Sequence, residues 1–429
     1  MTAVRRATSW GARRSSATQR FGAPGLTVRV RTARVAARTA AWLSRVLRDG
    51  SGLVIGGRVL LALAPRGPLV LSRGRRITLV SGTNGKTTTT ALLAAALGGA
   101  GAVGANRDGA NTSAGIAGTL ATSDADCLVL EVDEGWLPWT IERTAPHIVV
   151  LGNLSRDQLS RHHEVGSLAR SWRVALAAAR LVVANADDPD VVWPALAARS
   201  QVWVSVGQHW TADSLVCPRC GSWCRHTDGD WRCDGCDLRR PRPDWWLEGD
   251  VLRSAQEEVH LDLHLPGSFN LANAALAVVA ASTAGVSATV AAARLTAVES
   301  VAGRFQRRRT DGHELRMMLG KNPAGWLELL TLMAPDQHPV VLLFNADGVD
   351  GRDPSWLYDV SFSALRGRDV VVQGRRATDL LVRLELDGVA ARQVPGRLRD
   401  ALATLPPGHV DVVGNYTAFQ AARTELDHG

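Results

Sequence analysis

Lysine is almost missing from this chain. Of 49 basic side chains, Lys86 and Lys321 are the only lysines. Arginine supplies positive charge anywhere on a surface, whereas a lysine ammonium is a compact point charge that fits where a guanidinium fork cannot. Lysine kept at just two places therefore marks both for chemistry, against chance survival of a rarely encoded residue. Acid is missing from one stretch: residues 1–50 carry eleven Arg and the single acidic residue Asp49. That segment reads as an arm, a helix on an anionic membrane surface, or a tail. Long apolar runs are missing too. No uninterrupted apolar stretch follows the arginines, as a secretion signal requires. Residues 52–71 are apolar, but Arg58, Pro65, Arg66 and Pro68 interrupt them, which makes a poor membrane span. The expectation is a cytoplasmic protein, with peripheral contact at the inner face of the membrane open. Scattered cysteines are absent. Five of the six lie within twenty residues, which argues for a metal site rather than disulfides. There is no internal repeat.

What is present is ordinary for a globular protein: 46% hydrophobic and 21% charged residues over 429 positions. That length calls for two or three domains. The net charge of +8 favours anionic partners such as nucleotides, acidic lipids or nucleic acid. "RRITLVSG" predicts a buried strand at 77–80, and "KTTTTALLAAALGGAG" a helix ending at Gly98 and Gly99. Further buried strands are expected in 126–135, 147–154 and 179–188, with a helix over 164–179 between the last two. Alternating strands and helices imply a parallel sheet covered on both faces. A Trp-, Cys- and Arg-rich insert fills about 210–246, and an Ala-rich helix follows at 270–283. A second α/β stretch begins near 305, with strands in 339–345, 369–374 and 410–415. The expected division is a basic segment 1–50, an ATP-binding domain 51–300 and a smaller C-terminal α/β domain 301–429.

A strand, then "GTNGKT", then a helix is the context of a phosphate loop. Backbone N–H groups at the helix start cradle phosphate oxygens. Lys86 would reach the outer phosphates and the Thr87 hydroxyl would ligate Mg²⁺. Thr83, Asn84, Gly85 and Thr88 complete the loop. Val80 stands where the general motif has its first Gly, so the match is to the short G-T-N-G-K-T-T form. The insert offers a second signal. Cys217 and Cys220, then twelve residues, then Cys233 and Cys236 form two C-x₂-C pairs, the spacing of a tetrahedral zinc ribbon. Four thiolates leave no open position, so the expected role is structural. Cys224 and His226 complete no second pair. Trp223, Trp231, Arg239 and Arg240 would also suit nucleic acid, but no nucleic-acid partner is expected.

The short loop form resembles that of the Mur ligase family, ATP-dependent enzymes that build the peptidoglycan stem peptide, and their folate-coupling relatives. Glu131, at the end of "CLVLE", matches the family's Mg²⁺-holding Glu, with Asp133 and Glu134 as alternatives. "GNLSRDQLSRHHE" resembles the segment after the third strand, although Asp157-Gln158 replaces the frequent Asp-His. No lysine lies downstream, before the insert, to be carbamylated. "PGSFNLANAALA" resembles the H-N-x-x-N helix start near the adenine, with Phe269 for His; Asn270 would contact the base or merely cap the helix. "AGRFQ" matches the G-R-x-[EQ] linker and makes Arg304 a candidate phosphate contact.

Only about 75 residues precede the first strand, too few for the usual uridine-nucleotide domain. With the four-Cys insert, "KNPAGW", "DGVDGRDPSWLYDVSF" and "GNYTAF", the chain closely resembles the MurT family, synthetase subunits of lipid II isoglutaminyl synthase, over about 50–425. The resemblance implies that ATP phosphorylates the α-carboxyl of D-glutamate in lipid II. Ammonia from a GatD-type glutaminase then gives D-isoglutamine. Lys321 would point toward the nucleotide from the C-terminal domain. No convincing glutaminase cysteine is present, so the resemblance implies that the partner holds the Cys and His while this subunit supplies the orienting carboxylate. Asp350, Asp353 and Asp359 compete for that role, and the motif favours Asp353. The rival readings are an amino-acid-adding Mur or folate-type ligase and a non-enzymatic nucleotide-binding zinc protein.

Overall fold

The computed structural model describes residues 24–47, 50–98, 102–106, 109–156, 165–299, 305–347 and 353–428. The chain forms two compact units. The first comprises Met1–Leu154, Glu164–His264 and Phe269–Val298; the second comprises Ser155–His163, Leu265–Ser268 and Glu299–Gly429.

In the first unit the apolar run after Arg75 becomes β1 (Arg76–Ser81), and the short strand β2 is Val103–Ala105. β3 (Cys127–Glu131), β4 (Ile148–Leu151) and β5 (Val182–Asn185) are buried throughout, as strands with both faces covered must be. β6 is Gln201–Ser205, and β7 (Cys224–Thr227) with β8 (Asp230–Cys233) makes a separate hairpin in the insert. β9 (Trp245–Glu248), β10 (Val251–Ser254) and β11 (Glu258–His260) return to the main sheet. Its order is β11-β10-β9-β6-β5-β4-β1-β3-β2. The pairings are parallel from β2 through β9, and β10 and β11 add an antiparallel edge that the sequence reading did not foresee. β1 lies between β3 and β4, where successive crossovers leave in opposite directions. In an open parallel sheet the crevice at the carboxyl ends of such strands takes the ligand.

The arginine-rich segment is no tail over its described part. Pro24–Leu47 is a helix whose Val30, Ala33 and Ala37 join Leu60, Ala117 and Ala121 in one apolar cluster. Arg34 and Arg38 close its edge by donating to Asp124, at 2.7 and 2.6 Å, and to the Ala121 carbonyl. The apolar run 52–71 splits into helices Leu53–Leu63 and Gly67–Ser72. The first lies backbone-to-backbone on the helix Ser113–Thr122. A Cβ on Gly57 would stand 1.6 Å from the Ala114 oxygen, and one on Gly118 2.0 Å from the Leu53 oxygen. Only glycine permits that approach. Among the described residues no helix is long and apolar enough to cross a membrane.

The second unit carries a six-stranded sheet: β12 (Phe305–Thr310), β13 (His313–Leu319), β14 (Val340–Leu343), β15 (Val370–Gln373), β16 (Ala391–Gln393) and β17 (Gly408–Gly414). The order is β12-β13-β17-β14-β15-β16, with β12 antiparallel and the rest parallel. Met317, Val341, Val371, Val412 and Phe419 anchor one face of its core. Arg316 and Arg368 converge on the buried Asp411, an internal ion cluster that ties β13 and β17 to the strand-leading loops.

Candidate active site and a candidate metal centre

The loop after β1 is set by two glycines. Gly82 has φ +148° against the Asn153 backbone, and Gly85 has φ +80°. A Cβ on Gly85 would lie 2.1 Å from Asn273 Oδ1. The helix Lys86–Leu97 starts directly after it. Asn153, just beyond β4, templates the loop: its carbonyl accepts from Thr83 N at 2.7 Å and its Oδ1 from Asn84 N at 3.0 Å. Thr87 is half-buried and Thr88 buried in the first helical turn, where unpaired N–H groups favour an anion.

Lys86 is enclosed. Its ammonium donates to the Gly82 carbonyl at 2.6 Å, the Thr83 carbonyl at 3.2 Å and Glu134 Oε2 at 3.0 Å. A tetrahedral donor meets three converging acceptors, two of them on the loop itself; the wider, planar guanidinium fork could not. That geometry accounts for a lysine here in a chain of arginines. Glu134 sits in a short 3-10 turn capped by Asp133, and its carbonyl accepts from the buried Trp172 indole at 2.9 Å.

Glu131 ends β3 in register with Val80 of β1. Asn106 bonds its backbone on both sides at 2.7 Å, and Asn111 Nδ2 donates to its Oε1 at 3.1 Å. Its carboxylate is thereby aimed by a second layer of amides. Asn270 is the third residue of the helix Ser268–Thr283, not its cap. Asn273 links it to the phosphate-loop helix, accepting from Thr89 Oγ1 at 3.1 Å and facing Asn270 Oδ1 at 3.5 Å. The first unit thus gathers Thr83, Asn84, Gly85, Lys86, Thr87, Thr88, Glu131 and Asn270 around the carboxyl ends of β1 and β3. Sequence reasoning missed Asn106, Asn111, Asn153 and Asn273. Asn273 lies inside the N-x-x-N pattern, and Asn153 inside "GNLS", so those two had a signal. Arg304, Asp157, Gln158 and Asp350 lie outside the described residues.

Asp188 is fully buried, capping Pro189–Ala195 through Asp190 N and accepting from Leu154 N at 2.8 Å. Burial pushes its carboxyl up to about 7, and burial and then Asp188 push Asp190 well above the usual carboxylate range. Asp188 thereby pins the residue next to Asn153, one bond from the phosphate loop.

In the insert, Cys217, Cys220, Cys233 and Cys236 place their sulfurs within 4.8 Å of one another. The Cys217–Cys236 and Cys220–Cys233 separations are 3.8 and 3.4 Å. Four thiolates about 2.3 Å from a tetrahedral Zn²⁺ stand about 3.8 Å apart, so the donor set and spacing fit that ion. Without an ion, the Ser222 N–H lowers the Cys220 thiol to about 6, whereas burial raises those of Cys217 and Cys236. Cys224 instead joins Val192, Trp231 and Leu238 in an apolar cluster, and His226 Nε2 lies 3.2 Å from the Ser214 carbonyl. Trp231 donates to the Ala186 carbonyl at 3.0 Å and Arg240 bonds Asp187, so two of the insert's Trp and Arg residues serve internal docking.

In the second unit Lys321 is half-buried at the turn after β13, and Asn322 Oδ1 caps the helix Pro323–Met333 through Gly325 N. Asp353 is exposed, and its Oδ1 accepts from Ser355 N at 2.9 Å. The Ser355 N–H holds its carboxyl below the usual range. Asp359 pairs with Arg156 at 3.1 Å, and Trp356 packs edge-on against Phe344.

Residues 80–281 match the Mur ligase middle domain and residues 319–419 the MurT ligase C-terminal domain. The chain is 27% identical over 419 residues to the lipid II isoglutaminyl synthase (glutamine-hydrolyzing) subunit MurT of Streptococcus pneumoniae, covering 88% of this chain and 93% of that one. It is 28% identical to the MurT subunit of Staphylococcus aureus, covering 72% and 77%. Among solved structures, a pseudomurein peptide ligase type C from Methanothermus fervidus shares the fold with TM-score 0.67 at 18% identity, over 86% of this chain and 84% of that one. Mycobacterium tuberculosis folylpolyglutamate synthase complexed with ADP does so with TM-score 0.60 at 15% identity, over 94% and 99%. The phosphate loop with its enclosed lysine belongs to the matched middle domain and Lys321 to the matched C-terminal domain, and the chain belongs to the MurT family of Mur ligases.

Proposed function

We propose that the chain is the synthetase subunit that amidates the α-carboxyl of D-glutamate in the lipid II stem peptide to D-isoglutamine. The carrying observation is a MurT C-terminal domain on a Mur ligase middle domain whose phosphate loop encloses Lys86. A carboxylate is a poor electrophile. Its oxygen attacks the γ-phosphorus of ATP, ADP departs, and an acyl phosphate forms. Ammonia then attacks the acyl carbon, loses a proton, and expels inorganic phosphate, leaving the amide.

Lys86 and the loop N–H groups of residues 83–88 hold the phosphates and stabilise charge on the transferred group. Asn270 contacts the base, and Arg304 and Lys321 are further nucleotide contacts. Mg²⁺ supplies charge neutralisation on the phosphoryl group when bound. The oxygen donors of Thr87 and Glu131 suit that hard cation and would hold it. Zn²⁺, held by the four cysteines, is structural. Ammonia comes from a GatD-type glutaminase subunit, in which a Cys and His need an orienting carboxylate; Asp353, exposed and ionised, supplies it. The protein works at the inner face of the membrane, where its substrate is anchored.

The test is reconstitution of the chain with such a glutaminase, lipid II, glutamine and ATP, followed by mass spectrometry of the stem peptide. Amidation that needs both subunits and vanishes in Lys86→Ala is the expected outcome. Turnover by Lys86→Ala at saturating ATP, or addition of an amino acid in place of ammonia, would overturn the reading.

A further inference from the structure

The helix Pro24–Leu47 has a second face, opposite the one it buries. Val28, Val35 and Trp42 are 63%, 65% and 55% exposed. They stand seven residues apart and so fall on one line along the helix. Val46 continues the line, 63% exposed. Arg31, Arg38 and Arg45 each follow three residues later along its flank; Arg38 is paired with Asp124, and the helix itself has no acidic residue. A soluble surface rarely groups uncovered apolar side chains this way. The pattern of an apolar stripe edged by arginine, on a helix packed by its other side, is that of a helix lying in a lipid interface rather than crossing it.

We propose that this face docks on an anionic lipid surface. Charge complementarity selects the occupant: a helix that carries arginine and no acid, with exposed Arg45 beside the stripe, meets the negative headgroup layer, while Val35 and Trp42 sink to the acyl boundary. The choice of a membrane over another partner also rests on the proposed lipid-linked substrate. Docking would hold the protein in the plane where that substrate diffuses, so that encounter becomes a search in two dimensions.

The test uses the full chain and vesicles that contain no lipid II, so failure of docking and failure of the proposed activity are read separately. Sedimentation with phosphatidylglycerol vesicles is compared with phosphatidylcholine vesicles, for the wild type, Val35→Glu/Trp42→Glu and Arg45→Glu. The expected result is preference of the wild type for anionic vesicles, weakened by salt, and a loss of at least about tenfold in the double variant. Arg45→Glu should lose less and shed part of the salt dependence. Amidation of detergent-solubilised lipid II should not change. Equal binding to both vesicle types, or full anionic binding by both variants, overturns the proposal. So does loss of the glutaminase subunit from the double variant on gel filtration with vesicle binding retained, since the face would then be a subunit interface. If the double variant fails to fold, Arg45→Glu and the salt titration decide alone.

Discussion

Replacing Glu134 with Gln tests what the resting phosphate loop is doing. Lys86 Nζ and Glu134 Oε2 lie 3.0 Å apart, with side chains 5% and 6% exposed. The glutamine amide oxygen can still accept from the ammonium, so the shape survives and the charge goes. The ammonium still donates to a neutral amide oxygen, so the loss is a part of the about 1.5–3 kcal/mol that a bond to a charged group carries, about 1–2 kcal/mol. The ceiling is about 3–5 kcal/mol, the cost of leaving a buried charge without its partner. The Gly82 and Thr83 carbonyls still solvate the ammonium, which keeps the cost at the lower figure. A loss of that size lowers Tm by about 2–8 °C for a unit of this size. The functional effect runs the other way. To meet a phosphate, Lys86 must leave Glu134, so weakening the resting pair should tighten ATP binding in the absence of metal by about five- to thirtyfold. Calorimetric titration in chelator, beside a thermal melt, reads both. Unchanged or weaker metal-free affinity together with an unchanged Tm would refute the idea that Glu134 competes with phosphate for Lys86.

Three further outcomes are expected. Cys217→Ser/Cys236→Ser should lose one zinc per chain by metal analysis and melt earlier, with residual activity falling in step with folded fraction; full zinc occupancy would exclude this ligand set. Asp353→Asn should spare ATP binding and amidation from added ammonia while cutting glutamine hydrolysis in the reconstituted pair, and an unchanged glutaminase rate would remove Asp353 from the mechanism. The Asp188 carboxyl is raised by burial to about 7, against about 4 when unfolded, so the folded state binds the extra proton between those values. Its contribution to stability is complete below about pH 4 and is lost as pH rises through about 7. Melts across that window should fall more steeply for the wild type than for Asp188→Asn, and parallel curves would refute it.

The elements legible in the sequence were those with one dominant local cause. β1, β3, β4, β5, β14, β15 and β17 are buried parallel strands and read as apolar runs. The strands missed are edge or half-exposed ones whose composition hides them. β12 is "FQRRRT", with three arginines on the sheet margin, and β9 to β11 pair antiparallel where only a two-residue turn at Gly249 and Asp250 gives a cue. The same division holds at the site. Thr83 to Thr88 are contiguous and carry their own motif, and the cysteine spacing announces its cluster. Glu134 becomes the lysine's partner only because β3 lies beside β1, and Asn106 and Asn111 become orienting groups only when β2 brings them to the end of β3. Such residues are chosen by strand order, which no local pattern encodes.

The glycine contacts between Leu53–Leu63 and Ser113–Thr122 bear on how the protein can be trimmed. A boundary drawn at the first strand would look natural, since the described residues before Arg76 are mostly helical and rich in arginine. Yet at Gly57 and Gly118 the two helices touch through bare backbone. Cutting away residues 24–72 would uncover Ala117 and Ala121, together with a groove shaped to receive another chain's main chain. A shortened protein of that kind would bare an apolar seam that the helices now cover and should pair with itself. Deletions that reach into the helix Pro24–Leu47 open the seam.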